Sequence, residues 1–276
     1  MLRTRVITAI VLLLIVVGAL AVGDNAFLAV MAAAFGLLVR EWLQMTGLSH
    51  PVSWGVGIVL AVAGAAAAFM GFSPSGPVFL ALILFSTAVW LAILGVVYVA
   101  RARGFAIGNA ASRVMCILLA PAAWLSIVWL MRTGGWPLML SVFVLVWLAD
   151  AFAYFAGRLF GKHRMAPAIS PKKTWEGALG AFVCVLAAAF AAWAWLPHEQ
   201  VFSSLILTRA GAGAGIIIVL LLTAVSIAGD LFESALKRHA GIKDSSNMLP
   251  GHGGFYDRLD AATAVFPCAV AALLVI

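Results

Sequence analysis

The chain has 276 residues, of which 65% are hydrophobic and only 10% are charged, and its formal net charge is +7. A soluble domain carries about 25% charged residues, so this composition excludes one and indicates an integral membrane protein. The structural unit to look for is therefore an apolar span of about 20 residues.

Apolar runs bounded by charged residues, prolines and glycines predict nine membrane-spanning helices. Each run can cross a hydrocarbon core of about 30 Å at about 1.5 Å per residue, and none alternates like a barrel strand. We therefore predict an all-α, polytopic helical bundle that forms one membrane-embedded unit, with N-terminal spans in residues 1–133 and C-terminal spans with polar loops in residues 134–276. The nine predicted spans are residues 6–22, 26–45, 54–71, 77–99, 112–131, 136–156, 177–196, 211–233 and 260–276.

The first predicted span has a second interpretation. Arg3 and Arg5 precede an apolar run that contains Ala19-Leu-Ala21, a pattern typical of a cleaved signal peptide. An uncleaved first span is favoured, because another apolar run begins at Ala26 and leaves no exported domain between the two.

The three cysteines lie in apolar stretches without CxxC spacing or a nearby histidine cluster. Cys116, Cys184 and Cys268 are therefore predicted to be buried small hydrophobes and not a disulfide set or a zinc site.

Basic residues fall almost entirely on one side of this nine-span layout. Fifteen of the seventeen lysine and arginine residues lie on the side of the N-terminus, and only Arg132 and Arg209 lie on the other. Cytoplasmic loops carry an excess of lysine and arginine, so we predict a cytoplasmic N-terminus and an external C-terminus. Eight of the ten acidic residues share the basic side, which the topology rule alone does not require.

The first dense polar stretch begins at Asp150, where a long apolar run ends. An ionised carboxylate within a membrane costs about 2.5–3.5 kcal/mol by insertion scales, so Asp150 needs a partner. Two roles stay open: Asp150 pairs with Arg158 or another helix to hold the bundle together, or it faces a water-filled cavity as a site residue.

Farther along this stretch, Ser170-Pro-Lys-Lys-Thr174 precedes a predicted helix. A proline-fixed turn, two ammonium groups, two hydroxyls and the free N–H groups of a helix N-terminus would form a cradle for an anion. Lysine pairs at a cytoplasmic membrane boundary also anchor lipid headgroups, so both interpretations stay open.

The second polar stretch continues an apolar span past Ile227. Asp230, Glu233, Ser234 and Lys237 follow one another at steps of three, one and three, which places them on one helix face. The stripe suits either a site or a solvent-exposed helix end.

A glycine-rich turn follows this helix. Leu249-Pro250-Gly251 predicts a turn, and in the next segment, His252-Gly253-Gly254, the glycines let the backbone approach a ligand closely. His252 either donates a hydrogen bond to a phosphate or packs within the turn.

Two aspartates begin the last predicted span one helical turn apart. Asp257 and Asp260 can share a divalent metal through oxygen ligands that suit Mg²⁺, or they can complement the helix dipole. Asp230 ends a span on the same side, so we predict that Asp230, Asp257 and Asp260 hold the metal.

The residues of these stretches combine into a long signature. Its main part is Ser234-Ala-Leu-Lys-Arg238, Lys243-Asp244, Ser246, Leu249-Pro250, His252-Gly-Gly-Phe255 and Asp257-Arg-Leu-Asp260. Further parts are Tyr154-Phe-Ala-Gly-Arg158, Phe160-Gly-Lys162, Ile169-Ser-Pro-Lys-Lys-Thr-Trp-Glu-Gly177, and in the N-terminal half Arg5-Val-Ile-Thr-Ala9 and Glu41-Trp42. On these motifs the chain resembles the phosphatidate cytidylyltransferases, also called CDP-diglyceride synthases. It departs from them at Ala151-Phe152, where a serine or threonine and then a glycine are expected.

The resemblance implies transfer of a cytidylyl group from CTP to phosphatidic acid, which yields CDP-diacylglycerol and pyrophosphate. Because the attacking lipid phosphate is already anionic, the site needs Mg²⁺ and cationic side chains more than a strong general base. We predict Mg²⁺ as the cofactor and leave a second cation open. The catalytic candidates are Lys237, Arg238, Lys243, Asp244, His252 and Arg258. The substrate-binding candidates are Arg158, Ser170, Lys172, Lys173, Thr174, Ser234, Gly253 and Gly254.

The predicted partners are CTP, phosphatidic acid and the lipid bilayer, without nucleic acid, and a homodimer is left open. The predicted location is the bacterial cytoplasmic (inner) membrane, with the site facing the cytoplasm. Two other classes are weighed. A transporter of an anionic metabolite would place ionisable residues near mid-membrane in repeat-related spans, and the sequence shows no internal repeat. A CDP-alcohol phosphatidyltransferase-like enzyme would carry its own series of aspartates, which we do not find.

Overall fold

Nine α-helices and one β-hairpin form the part of the chain that the structure, a computed structural model, describes, residues 2–276. Eight of these helices are long and apolar enough to cross a membrane, so the predicted polytopic helical bundle is confirmed. The elements are α1 (Leu2–Val22), α2 (Asp24–Met45), α3 (His50–Phe69), α4 (Gly76–Ala100), α5 (Asn109–Phe160), β1 (Arg164–Ala166), β2 (Ser170–Thr174), α6 (Trp175–Trp195), α7 (Phe202–Arg209), α8 (Gly211–His239) and α9 (Tyr256–Val275).

Helix α5 contains two membrane crossings. Its 52 residues would measure about 78 Å when straight, far more than a hydrocarbon core of about 30 Å. Gly135 interrupts the helix with φ 70° and ψ −175°. Arg113 contacts Thr46 just past the end of α2, whereas Arg132 contacts Asn25 at the start of α2. The first arm therefore runs antiparallel to α2, and the second arm returns. With the two arms counted separately, residues 2–276 contain the nine predicted apolar segments.

Contacts between helix termini show which of them share an end of the bundle. The Thr8 hydroxyl near the start of α1 donates to the carbonyl of Pro250, 2.8 Å away. At the other end, Leu273 of α9 lines a cavity with Thr133 and Glu199. The start of α1 and the segment around residue 250 therefore share one end, which we call the polar end, and the C-terminus lies at the opposite end.

Aromatic packing holds the helices together just inside the polar end. The buried ring of Trp42 stacks on Tyr256 with centroids 4.8 Å apart and meets the edge of Phe232 at 5.6 Å. Phe232 also contacts Trp90 at 5.5 Å. This cluster joins α2, α4, α8 and α9, so the N-terminal and C-terminal spans form a common core.

The prediction of buried cysteines holds for Cys116 and Cys268, whereas Cys184 is half-buried. The first two predicted spans match α1 and α2. The start of α1 is hydrogen-bonded to the segment at Pro250.

The β-hairpin corrects the predicted structure of residues 170–174. These residues form strand β2, which pairs antiparallel with β1 in the register Arg164 with Thr174 and Ala166 with Ser170. The prediction of a proline-fixed turn was wrong, because the turn lies between the strands and Pro171 sits within β2. Strands of three and five residues are too short to show a period in the sequence.

Candidate active site

A charged cavity of about 540 Å³ opens at the polar end, between the second arm of α5, β2 and helices α6, α8 and α9. Burying this many charges is tolerated only when they pair with one another or meet water and ligands. Most of the predicted site residues meet here. The cavity is lined by six carboxylates and five cationic side chains, namely Asp150, Asp230, Glu233, Asp244, Asp257, Asp260, Arg158, Lys172, Lys173, Lys237 and Arg258.

One set of carboxylates, which we call the open group, consists of Asp150, Asp230 and Asp260. Among residues 2–276, neither Asp150 nor Asp260 takes part in an ion pair. Asp230 pairs with Lys173 at 2.5 Å and accepts a longer hydrogen bond from the Ser234 hydroxyl, at 3.3 Å. Three carboxylates therefore share a single neighbouring ammonium group.

The charge of Lys173 is fixed by these carboxylates. Burial opposes the charged ammonium, but Asp230, with help from Asp150 and Asp260, more than offsets this effect and raises the pKa of Lys173 above its ordinary value. Lys173 is therefore a cation at neutral pH, and β2 positions it over the open group.

The other set, which we call the closed group, consists of Glu233 and Asp257 with Lys237 between them. The Lys237 ammonium lies 2.5 Å from Glu233 Oε2 and 2.6 Å from Asp257 Oδ1. Asp257 Oδ2 accepts hydrogen bonds from the backbone N–H groups of Ser245 and Gly254 at 2.9 and 2.8 Å. Both oxygens of Asp257 are thus engaged by the protein itself.

This geometry bears on the predicted metal site. Asp230, Asp257 and Asp260 do line one cavity. Within the described residues, however, no three histidine, cysteine or acidic side chains are grouped closely enough to hold a metal ion. Asp150 and Asp260 of the open group form no ion pair among the described residues, and Mg²⁺ is usually held by one or two carboxylates together with substrate phosphates, so these two side chains suit the ion without a three-residue cluster. Asp257 is a poorer Mg²⁺ ligand, because it would have to release Lys237 or the hydrogen bonds that it accepts from the N–H groups of Ser245 and Gly254.

Three cations of the cavity are free to meet an anionic substrate. Arg158, Lys172 and Arg258 are exposed, and none forms an ion pair with another residue of the described chain. Arg258 donates to the backbone carbonyl of His252 at 3.1 Å, and Arg158 donates to the Tyr154 hydroxyl at 3.1 Å. These side chains rim the cavity where phosphate groups would enter.

The predicted helix N-terminus at the start of α6 is not a free anion site. The Thr174 hydroxyl caps it by accepting from the N–H of Gly177 at 3.2 Å. Glu176 in the first turn accepts from the N–H groups of Lys162 and His163 at 3.1 and 3.2 Å. These contacts fix the hairpin to α6, so the lysines of β2 line the cavity beside the capped start of the helix, at Thr174 and Gly177.

Several predicted residues lie outside the cavity lining. Arg238 and Lys243 are exposed, and Arg238 donates to the carbonyl of Ile169 at 3.4 Å. The ring of His252 has a buried Nδ1 without a hydrogen-bond partner in residues 2–276. Ser234 acts on the cavity indirectly, through its hydrogen bond to Asp230.

Gly253 and Gly254 were predicted to let a ligand approach the backbone. In the structure they leave room for two carboxylates of the protein itself. A Cβ atom at Gly253 would overlap Asp257 Oδ2, and one at Gly254 would overlap the Ser245 hydroxyl and the carboxylate of Glu41. Gly253 also has φ 79°, in the left-handed region that favours glycine. Neither glycine lines the charged cavity in this geometry, so their role as direct substrate contacts stays a prediction.

Sequence reasoning did not predict that Glu41 contacts the loop beside the site. Its side chain is fully buried in α2 and accepts hydrogen bonds from Ser245, Ser246, Phe255 and Tyr256. An acidic residue inside an apolar helix was the available signal, but its partners lie more than 200 residues later in the chain.

These features define a class: a polytopic membrane protein with a cavity at one end that holds carboxylates suited to a cation and cations suited to phosphates. Comparison with known proteins gives the family. The model of the cytidylyltransferase family matches residues 3–276, so the chain belongs to that family, and the resemblance seen in its motifs is confirmed.

Individual relatives agree with this assignment. A Pseudomonas aeruginosa protein named phosphatidate cytidylyltransferase is 37% identical over 280 residues, which cover 99% of this chain and 97% of the relative. A Haemophilus influenzae protein of the same name is 35% identical over 289 residues, 97% of this chain and 96% of the relative. One from Staphylococcus saprophyticus is 40% identical over 136 residues, about half of each chain.

Proposed function

We propose that this chain transfers a cytidylyl group from CTP to phosphatidic acid, forming CDP-diacylglycerol and pyrophosphate for phospholipid biosynthesis. Its membership of the cytidylyltransferase family and the names of its full-length relatives support this activity. The structural observation that carries the proposal is the cavity itself, in which unpaired cations lie beside carboxylates, two of which, Asp150 and Asp260, form no ion pair among the described residues.

The reaction explains why the cavity needs both kinds of charge. A phosphate oxygen of phosphatidic acid attacks the α-phosphorus of CTP, the bond from that phosphorus to the oxygen bridging to the β-phosphate breaks, and pyrophosphate leaves with the electron pair. Two anions must approach each other, and negative charge grows on the leaving group. Preorganised cations stabilise this charge more strongly in a partly dehydrated cavity than in water.

The free cations of the rim take the substrate phosphates in this proposal. Arg158, Lys172 and Arg258 have no carboxylate to give up, so a phosphate gains their full charge. Lys173 and Lys237 are already paired and hold the carboxylates in place. Arg238 and Lys243, farther out, remain candidates for first contact with CTP.

We assign Mg²⁺ to the open group. Asp260 and Asp150, which form no ion pair among the described residues, would hold the ion, and Asp230 would join them by releasing Lys173; the ion would supply charge neutralisation for the phosphates when it is bound. The predicted ligand Asp257 is reassigned to holding Lys237, because its oxygens already accept from Lys237, Ser245 and Gly254.

We place the cavity on the cytoplasmic side of a bacterial inner membrane, because fifteen of the seventeen basic residues belong to that side of the layout. His198 and Lys243 lie at opposite ends of the bundle in this arrangement. Cysteines introduced at these two positions should be labelled by an impermeant reagent from opposite faces of sealed vesicles. Labelling of both from one face would contradict the topology. A homodimer of this chain, which the sequence leaves open, can be tested separately by cross-linking in native membranes.

The activity is tested with radiolabelled CTP and purified protein in detergent. Label should enter chloroform-soluble lipid only when both CTP and phosphatidic acid are present, and pyrophosphate should be released in equal amount. A requirement for sealed vesicles would support the transporter alternative. Release of CMP from added CDP-diacylglycerol when a free alcohol is present, with no product from CTP and phosphatidic acid, would support the phosphatidyltransferase alternative. Either result would overturn the proposed function.

A further inference from the structure

The carboxylate of Glu41 is buried although it lines no part of the charged cavity. Glu41 is 0% exposed and lies one turn before the end of α2, in the N-terminal half of the chain. Burying an ionised carboxylate is costly unless hydrogen bonds replace its water. The residues that supply those bonds therefore indicate what the side chain does.

All four donors to Glu41 belong to the segment that leads into α9. The Ser245 and Ser246 hydroxyls lie 2.9 and 2.6 Å from its oxygens, at the start of this segment. The N–H groups of Phe255 and Tyr256, at its end, lie at 3.1 and 2.8 Å. Glu41 thus closes the base of a loop of about ten residues, and a loop tied at both ends loses most of its conformational freedom.

The tied loop reaches the closed group of the cavity through Ser245. Its hydroxyl lies 2.9 Å from Glu41 Oε2 and 2.9 Å from Asp257 Oδ2. Its backbone N–H also donates to Asp257 Oδ2, and Asp257 in turn holds Lys237 at 2.6 Å. Moving Ser245 would therefore move Asp257 and the ammonium group that it orients.

Both flanks of the loop carry residues that face the cavity. Asp244 precedes Ser245 and Arg258 follows Asp257, and both line the cavity. Glu41 holds Ser245, next to Asp244, and Tyr256, two residues before Arg258, so it constrains the distance across this side of the site.

We propose that Glu41 is a positioning residue for cytidylyl transfer, which acts on the cavity from the N-terminal half by holding Ser245 and the start of α9. The proposal rests on the proposed function. It differs from a purely structural role in one measurable respect: loss of the carboxylate should lower the turnover of folded protein, because a misplacement of about 1 Å in a site costs roughly 100-fold.

The first experiment compares Glu41→Gln with a matched control, Thr46→Val. Thr46 is also buried near the end of α2 and hydrogen-bonds to Leu43 and Arg113, and it forms no hydrogen bond with the loop among the described residues. Per folded molecule, Glu41→Gln should lower kcat roughly 10- to 100-fold with little change in the KM for phosphatidic acid. Thr46→Val should lower thermal stability while its kcat stays within about twofold. A kcat of Glu41→Gln equal to that of the control would overturn the proposal.

The second experiment is a double-mutant cycle with Ser245→Ala. If Glu41 acts through Ser245, the double variant should be about as slow as Glu41→Gln alone, within about twofold. Multiplication of the two losses would show independent effects and overturn the proposal. Should Glu41→Gln fail to fold, Ser246→Ala removes the 2.6 Å hydrogen bond to Glu41 and the weaker one that the Ser246 hydroxyl accepts from the N–H of Met248 at 3.2 Å. It must then lower kcat severalfold at normal stability, and an unchanged kcat would overturn the proposal. If the unmodified protein makes no CDP-diacylglycerol, the proposed function fails instead.

Discussion

The open and closed groups of the cavity differ in how far the protein itself satisfies their carboxylates. In the closed group, Lys237 bridges Glu233 and Asp257, and backbone N–H groups complete the shell of Asp257. In the open group, Lys173 is shared among three carboxylates. The two groups lie in the same cavity, so the difference comes from the surrounding donors and not from burial alone.

We infer from this difference that the closed group stabilises the fold and that the open group is available to bind a ligand. A buried charge that is fully paired holds a structure in one arrangement, and removing its partner is strongly destabilising. Charges left without protein partners at a cavity are available to a ligand. We therefore expect variants of the closed group to affect folding most, and variants of the open group and of the free cations to affect turnover.

The largest expected effect is a loss of protein stability when the closed group loses its cation. Lys237→Met leaves Glu233 and Asp257, which are 1% and 6% exposed, without their shared cation. Breaking a buried pair in this way costs about 3–5 kcal/mol, so the unfolding midpoint in detergent should fall sharply. Arg103→Met, at an exposed residue on the same side, is the control. An unchanged midpoint for Lys237→Met would show that the closed group does not hold the fold.

The next largest effect is on the turnover of an open-group variant. Asp260→Asn keeps the size of the side chain but removes its charge. Loss of metal-dependent charge stabilisation worth several kcal/mol corresponds to a fall in kcat of roughly 100-fold or more, at about 1.36 kcal/mol per decade. The thermal midpoint should stay near that of the unmodified protein, because Asp260 forms no ion pair among the described residues. Near-normal turnover would remove Asp260 from the site.

The smallest effect on activity is expected from an exposed cation at the rim of the charged cavity. Lys172 is exposed and unpaired, and exposed pairs are worth at most about 1 kcal/mol. Lys172→Gln should therefore lower kcat/KM about fivefold at most, with the difference shrinking as ionic strength rises. Arg209→Gln, at the opposite end of the bundle, should have no effect. A salt-independent loss at Lys172 would point to a buried contact that the structure does not show.

The sequence predicted most of the membrane architecture because span length and hydropathy are local properties. The bend at Gly135 separates two runs that were already distinct in the sequence. The stripe of α8 was also predictable, since Glu233 and Lys237 are one turn apart and do form an ion pair in the structure.

The partners of Asp257 and Glu41 were not predictable in the same way. Each depends on how the loop before α9 folds back, and Glu41 meets Ser245 across 204 positions of chain. No periodicity encodes such a contact. The strand at Ser170–Thr174 was not predicted for another reason. It pairs with only three residues of β1, which leaves no sequence pattern long enough to recognise.

The most direct test of the division between the two groups is the Mg²⁺ dependence of CDP-diacylglycerol formation in Asp260→Asn and Asp257→Asn. If the open group holds the ion, Asp260→Asn should need a higher Mg²⁺ concentration for half-maximal activity or respond differently to Mn²⁺. Asp257→Asn should lose kcat and thermal stability with an unchanged Mg²⁺ requirement. A shift of the Mg²⁺ requirement in Asp257→Asn as large as that in Asp260→Asn would contradict the account and restore Asp257 as a metal ligand.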